Sequence, residues 1–227
     1  MDTSLGLQGM KRLTLFCGHY GSGKTNLAVN YARRLREQGG RVTLADLDIV
    51  NPYFRSLDSR EELEAAGIRL ICSAYANTNV DIPALPPDLY SITDDKRHHV
   101  IVDIGGDDRG ALVLGRIAPA ILEENSYDML LVINQYRPLT PDAASTLEVM
   151  QEIEAAGGIR FTGLVNNSNL GESTDAETVL ESVSYANEVS RVTGLPVVMT
   201  TVKKELYSEL KGKIENLFPM TLQKKIL

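Results

Sequence analysis

The run LTLFCGHYGSGKT occupies residues 13–25 and decides the reading of the chain. Five apolar or β-favouring residues, Leu13 to Cys17, predict a strand. Gly18 to Thr25 then match the pattern G-x-x-x-x-G-K-[ST], and Leu27, Tyr31 and Leu35 follow at helical spacing until Gly39 and Gly40 end the run. Strand, glycine-rich turn and helix in that order are the context in which this pattern cradles phosphate. Glycines let the backbone wrap closely around an anion. The N–H groups of Gly21, Ser22 and Gly23 and the helix N-terminus then face the phosphates. Lys24 supplies a point charge between the β- and γ-phosphates, and the hydroxyl of Thr25 is a magnesium ligand. The predicted nucleotide-contacting run is therefore Gly18, His19, Tyr20, Gly21, Ser22, Gly23, Lys24, Thr25 and Asn26.

Two acidic runs extend this site. VTLADLDIV places Asp46 and Asp48 at the end of a second apolar stretch, and VIVDIGGDDRG places Asp103 at the end of another, before Gly105 and Gly106. A strand-end aspartate alone is read most simply as a helix cap or a solvated turn. Three strand ends carrying Lys24 with Thr25, Asp46 with Asp48, and Asp103 on one sheet edge instead point to a metal–phosphate site, with Thr25, Asp46, Asp48 and Asp103 as its metal-side oxygens. Asp107 and Asp108 read either as a γ-phosphate sensor or as solvated acids.

The 227 residues are 43% hydrophobic and 23% charged, ordinary for a chain that buries a sizeable core. A net charge of −7 argues against coating nucleic acid through charge. Two cysteines, Cys17 and Cys72, supply no disulfide framework or cysteine-ligated cluster and read as buried, inert thiols. No apolar run reaches transmembrane length, and MDTSLGLQGM lacks the charge and apolar core of a secretory leader, so the expectation is a reduced, cytoplasmic protein. Strands are expected at 13–17, 42–45, 68–72, 100–103, 129–133, 161–165 and 196–199. Helices are expected after Gly23, from a Thr140 cap with Pro141, from a capping box at Thr174 to Glu177, and along Leu206, Leu210, Ile214 and Phe218. This rhythm predicts an α/β, doubly wound, mostly parallel sheet of about seven strands with helices on both faces. Residues 1–10 are expected to be a flexible N-terminus and 11–227 a single nucleotide-binding domain.

The order of a P-loop, a D-x-D near residue 46 and an hhhhDhGG near residue 103 resembles the MinD/ParA-type P-loop ATPases, the deviant-Walker group that includes the nitrogenase iron protein and dethiobiotin synthetase. The resemblance covers most of the chain in element order but is sharp only at the motifs. It implies bound ATP and Mg²⁺, a water-orienting role for Asp48, a Walker B role for Asp103 and an adenine contact from Asn166. It also implies a nucleotide-dependent homodimer. One departure stands out: the partition and division members carry a lysine after the first P-loop glycine, and this chain has His19. A histidine replaces that charge only when protonated.

Base choice follows from complementarity. A guanine reader of the N-K-x-D type needs a carboxylate, and Asn166-Asn167-Ser168-Asn169 offers none, whereas an asparagine amide can pair with adenine. The asparagine pair also reads as a side-chain-bonded turn. Arg137, in the strand-end run NQYRPLT, reads as a contact to substrate or partner, or as an ordinary surface arginine. His98 and His99 point to opposite faces of a strand and so form no metal pair. The tail FPMTLQKKIL is too short to be a strong membrane anchor. The leading expectation is a Mg·ATP-binding switch that hydrolyses ATP slowly, with Lys24 and Asp48 as the catalytic pair, and acts on a partner protein. The alternative is an ATP-dependent small-molecule ligase or kinase of dethiobiotin-synthetase type, drawing on residues 51–55 and 134–137; a third is a module that binds nucleotide without turning it over.

Overall fold

The computed structural model describes residues 10–47, 57–72, 91–106 and 108–222. Asp48, Asp107 and residues 51–55 and 223–227 lie outside them. Eight strands form one sheet: β1 (Leu13–Cys17), β2 (Val42–Leu47), β3 (Ile68–Cys72), β4 (His99–Ile104), β5 (Tyr127–Ile133), β6 (Gly163–Asn166), β7 (Val197–Lys203) and β8 (Leu217–Met220). Their order is β3-β2-β4-β1-β5-β6-β7-β8, and each neighbouring pair is parallel. The chain runs outward from β1, returns at β4, then crosses β1 to build the other half. That reversal puts a crevice at the carboxyl end of β1, where ligands bind in open α/β sheets.

Strand alternation sorts the core onto two faces. Leu13, Leu15 and Cys17 join one cluster with Leu114, Ile117 and Ile121 of α4 (Asp108–Glu124), Met150 of α5 (Ala143–Gly157) and Val189 of α6 (Ala176–Thr193). Phe16 turns the other way, among Leu27, Tyr31 and Leu35 of α1 (Lys24–Glu37) and Leu63 of α2 (Leu57–Ala65). A short α3 (Ser91–Asp94) precedes β4. Burial of both faces explains why the strands read as near-continuous apolar runs.

Three local expectations change. The last amphipathic stripe is not one helix. It divides into a 3₁₀ turn (Lys204–Leu206), α7 (Tyr207–Leu210) and β8, with left-handed backbone at Gly212 (φ 86) and Asn216 (φ 52) turning the chain between them. Leu210 and Phe218 are both buried, but in different clusters. The cap of α5 is Asp142, which accepts from Ser145 N at 2.9 Å, while the Thr140 hydroxyl donates to Asn134 O at 2.9 Å. The cap of α6 is Asp175, accepting from Thr178 N at 2.8 Å, one residue after the expected Thr174. Among the described residues no helix is long and apolar enough to cross a membrane.

Candidate functional site

Among the described residues, the charged residues buried over backbone and side chain together are Lys24, Asp46 and Asp103, at 5%, 7% and 0% exposure. Charges are almost never buried unless paired or used, and these three converge. Lys24 opens α1 at the end of the loop that follows β1, and Asp46 and Asp103 lie opposite each other in the β2–β4 register. Thr25 Oγ1 donates to Asp103 Oδ2 at 2.6 Å, tying the first turn of α1 to the end of β4.

The loop between β1 and α1 is shaped for an anion. Gly23 takes the N-cap position of α1 in a left-handed conformation (φ 88) and makes no side-chain cap. The first amides of this 14-residue helix thus point into the loop without a side-chain acceptor, the arrangement that binds phosphate. Gly23 must be glycine for a second reason: a Cβ there would stand 2.4 Å from Asn167 Nδ2. Lys24 Nζ lies inside the loop and donates to Gly18 O at 2.9 Å and His19 O at 3.2 Å. Gly106, just after β4, packs on the same backbone, where a Cβ would meet Tyr20 N at 2.5 Å and Gly18 O at 2.7 Å. The acidic strand end and the glycine loop therefore sit in direct contact.

The remaining loop residues divide by exposure. Ser22 is buried, and its Oγ has no hydrogen-bond partner among the described residues. Tyr20 is 60% exposed. His19 is half-buried, with Nδ1 3.0 Å from Tyr20 O; a carbonyl only accepts, so Nδ1 carries the proton. Asn26 lies half-buried in the first turn of α1. Cys17, at the mouth of β1, is 1% exposed; burial pushes its thiol up to about 12, a rise that nearby Lys24 opposes. It is a neutral thiol at physiological pH, in keeping with an inert residue. His98 sits at the opposite edge, its Nδ1 3.0 Å from Thr43 Oγ1.

Asn166 does not face the phosphate loop. It is 1% exposed, and its Nδ2 donates to Ser182 Oγ at 2.8 Å while its Oδ1 accepts from Ser168 N at 3.2 Å. Its amide holds β6 to α6, which leaves no free edge for adenine. Asn167 faces the loop instead: Nδ2 donates to Ser22 O at 2.5 Å, and Oδ1 accepts from Thr201 Oγ1 at 2.5 Å. Strand parity is the signal that finds it. Leu164 belongs to the α4–α6 face and Val165 to the α1 face, so alternation sends Asn166 towards α6 and Asn167 towards α1. Asn169 closes the turn, donating to Asn167 O at 2.6 Å and accepting from Gly171 N at 3.1 Å. Asn134, at the end of β5, is fully buried and accepts from Tyr136 N at 3.0 Å.

The oxygen set suits magnesium. Thr25, Asp103 and Asp46 offer a hydroxyl and two carboxylates from three adjacent elements. Mg²⁺ takes one or two protein oxygens and fills its shell with water and phosphate, whereas a dedicated cage would need more. Among the described residues no group of three or more His, Cys, Asp or Glu could form such a cage.

No family model matches the chain. One curated relative, thiazole synthase of Alkalilimnicola ehrlichii, is 26% identical over 121 residues, 52% of this chain and 46% of the relative. The chain thus spans about half the length of that relative. Among solved structures, the cell division protein FtsY of Thermotoga maritima superposes with a TM-score of 0.55 at 16% identity, covering 89% of this chain and 65% of that one. Chloroplast FtsY of Physcomitrella patens gives 0.51 at 17%, covering 83% and 57%. FlhF complexed with GTP and Mg²⁺ gives 0.50 at 12%, covering 86% and 67%. At these identities the likeness establishes the fold, which is that of P-loop NTPases.

Proposed function

We propose that this chain is a magnesium-dependent nucleotide switch that binds ATP, hydrolyses it slowly and acts on a partner protein. The observation that supports it is the convergence of Lys24, the uncapped N-terminus of α1 and the Thr25–Asp103 bond on one crevice. Thr25, Asp103 and Asp46 would hold the metal, which supplies charge neutralisation on the phosphate oxygens. Lys24 leaves its loop carbonyls for the β- and γ-phosphates, and the amides of Gly21 to Gly23 follow the bridging oxygens. In this reading Asp48 orients the attacking water, and positioning with charge neutralisation lowers the barrier. ATP is favoured over GTP because Asn166 to Asn169 contain no carboxylate to accept from guanine N1–H and N2–H₂. The Asn166 amide is itself engaged with α6, so the missing acid is what favours adenine.

The MinD/ParA resemblance adds a homodimer and a place among switch ATPases, with His19 where the trans-acting lysine would be. The ligase or kinase reading is weakened at Asn134, one of the residues offered for its substrate pocket. That side chain is fully buried and bonded to Tyr136 N in its own loop and to the Asn169 backbone after β6.

Phosphate release and calorimetry on the wild type and Lys24→Ala test the proposal. The wild type should bind Mg·ATP more tightly than Mg·GTP and release phosphate slowly. The substitution should cost about a hundredfold in affinity or turnover, because it deletes the one cation inside the loop. Equal phosphate release by the two proteins would remove the assignment.

A further inference from the structure

The β5–α5 loop sets a second cation beside the loop that follows β1. Arg137 lies across Gly21: a Cβ on that glycine would meet Arg137 Nε at 3.6 Å, Cδ at 3.7 Å and Cζ at 4.0 Å. Its Nε is buried and has no hydrogen-bond partner among the described residues. Buried donors are normally satisfied, and exceptions ask for a reason.

The loop that presents Arg137 is braced at each step. Arg137 N donates to Asn134 O at 3.2 Å, and Thr140 N to Arg137 O at 3.1 Å. Gln135 N donates to Ser168 Oγ at 3.1 Å, Tyr136 OH to Thr178 O at 3.1 Å and Tyr185 OH to Thr140 O at 3.0 Å. These bonds fix the backbone without using the guanidinium. A side chain kept for structure would be expected to saturate its donors, whereas this one stands beside Gly21 with a buried Nε that has no partner among the described residues. Guanidinium is the side-chain group best matched to phosphate oxygens.

We propose that Arg137 is a phosphate-contacting residue, supplied in cis, that binds the polyphosphate tail from the side of Gly21, opposite Lys24. This rests on the nucleotide reading above for its physiological ligand, but the anion site itself is narrower and separately measurable.

Calorimetry on the full chain, with magnesium pyrophosphate and with Mg·ATP, compares the wild type with Arg137→Gln, Arg137→Lys and a remote control, Arg160→Gln, whose side chain is 87% exposed. Arg137→Gln should weaken both ligands about tenfold or more, as expected for a lost charge-assisted bond. Arg137→Lys should recover part of the loss, the Arg160→Gln control should keep wild-type affinity, and the thermal midpoints should agree. Pyrophosphate and ATP affinities of Arg137→Gln within about twofold of the wild type overturn the proposal. If Arg137→Gln does not fold, Arg137→Lys decides, since wild-type affinity there overturns the guanidinium contact and a loss of about threefold or more supports it. A wild type that binds pyrophosphate but no nucleotide overturns the nucleotide reading, and the Arg137 comparison still stands on pyrophosphate. A wild type that binds neither overturns both.

Discussion

Two arginines sit at opposite ends of the sheet and are treated in opposite ways. Arg12, at the amino end beside β1, pairs through Nε and Nη2 with Glu124 and donates to Ile92 O at 2.7 Å and His98 O at 3.3 Å. It ties the chain before β1 to α3, to the start of β4 and to the end of α4, and its guanidinium is occupied on every side. Arg137, at the carboxyl end, has a braced backbone and an unpartnered Nε. The helix starts, all at the carboxyl end of the sheet, divide in the same way. Asp142 and Asp175 cap α5 and α6 with their own carboxylates, while α1 begins at Gly23 with no side-chain cap. Arg12 and the caps of α5 and α6 complete their polar bonds, whereas the start of α1 and Arg137 keep donors without a side-chain acceptor.

The sharpest way to break this division is at Arg12. Arg12→Ala leaves Glu124, only 8% exposed, without its cation. The expected loss is about 3 kcal/mol in denaturant unfolding, with nucleotide affinity unchanged in the protein that remains folded. A comparable loss of affinity would mean the two ends are not separate. A smaller effect is expected at Asn167, which joins Ser22 O to Thr201 Oγ1. Asn167→Ala removes two buried bonds and should cost about 2 kcal/mol of stability. Because its other end is the phosphate loop, affinity for Mg·ATP should fall as well, by about tenfold. A stability change without an affinity change would make Asn167 a core residue only.

The smallest expected effect is in acid. Hydrogen bonds from Ser145 and Thr178 hold the Asp142 and Asp175 carboxyls below the usual carboxylate range. A depressed folded pKa contributes stability above the unfolded value near 4, and that contribution is lost as pH falls through the folded value. Chemical denaturation at pH 7 and at pH 3 should therefore show a smaller acid loss in Asp142→Asn with Asp175→Asn, because asparagine caps without titrating. Equal losses in the variant and the wild type would remove both caps from the acid account.

How far the sequence carried depended on whether one periodicity was enough. β1, β3 and α1 fall where the apolar runs and the glycine loop place them, because burial on both faces writes an unbroken apolar signature. β8 was missed because Leu206, Leu210, Ile214 and Phe218 share a helical spacing that Gly212 and Asn216 interrupt in three dimensions. β8 also contains Pro219, which the edge of the sheet tolerates because a missing N–H there breaks no ladder bond. The phosphate loop was readable because its residues are contiguous. Asn166 and Asn167 look alike in one dimension, and only strand parity turns one towards α6 and the other towards the loop after β1. Arg137 gave no decisive signal in one dimension, since its meaning is its proximity to Gly21, more than a hundred residues away.

The Asn167 clasp has a consequence for remodelling this molecule. One amide grips the β1–α1 turn on one side and the β7 hydroxyl of Thr201 on the other. The loop after β1, the turn after β6 and strand β7 are thus a single joint. Transplanting the segment after β6 would misalign the glycine loop, unless Ser22, Asn167 and Thr201 travel together as one cassette.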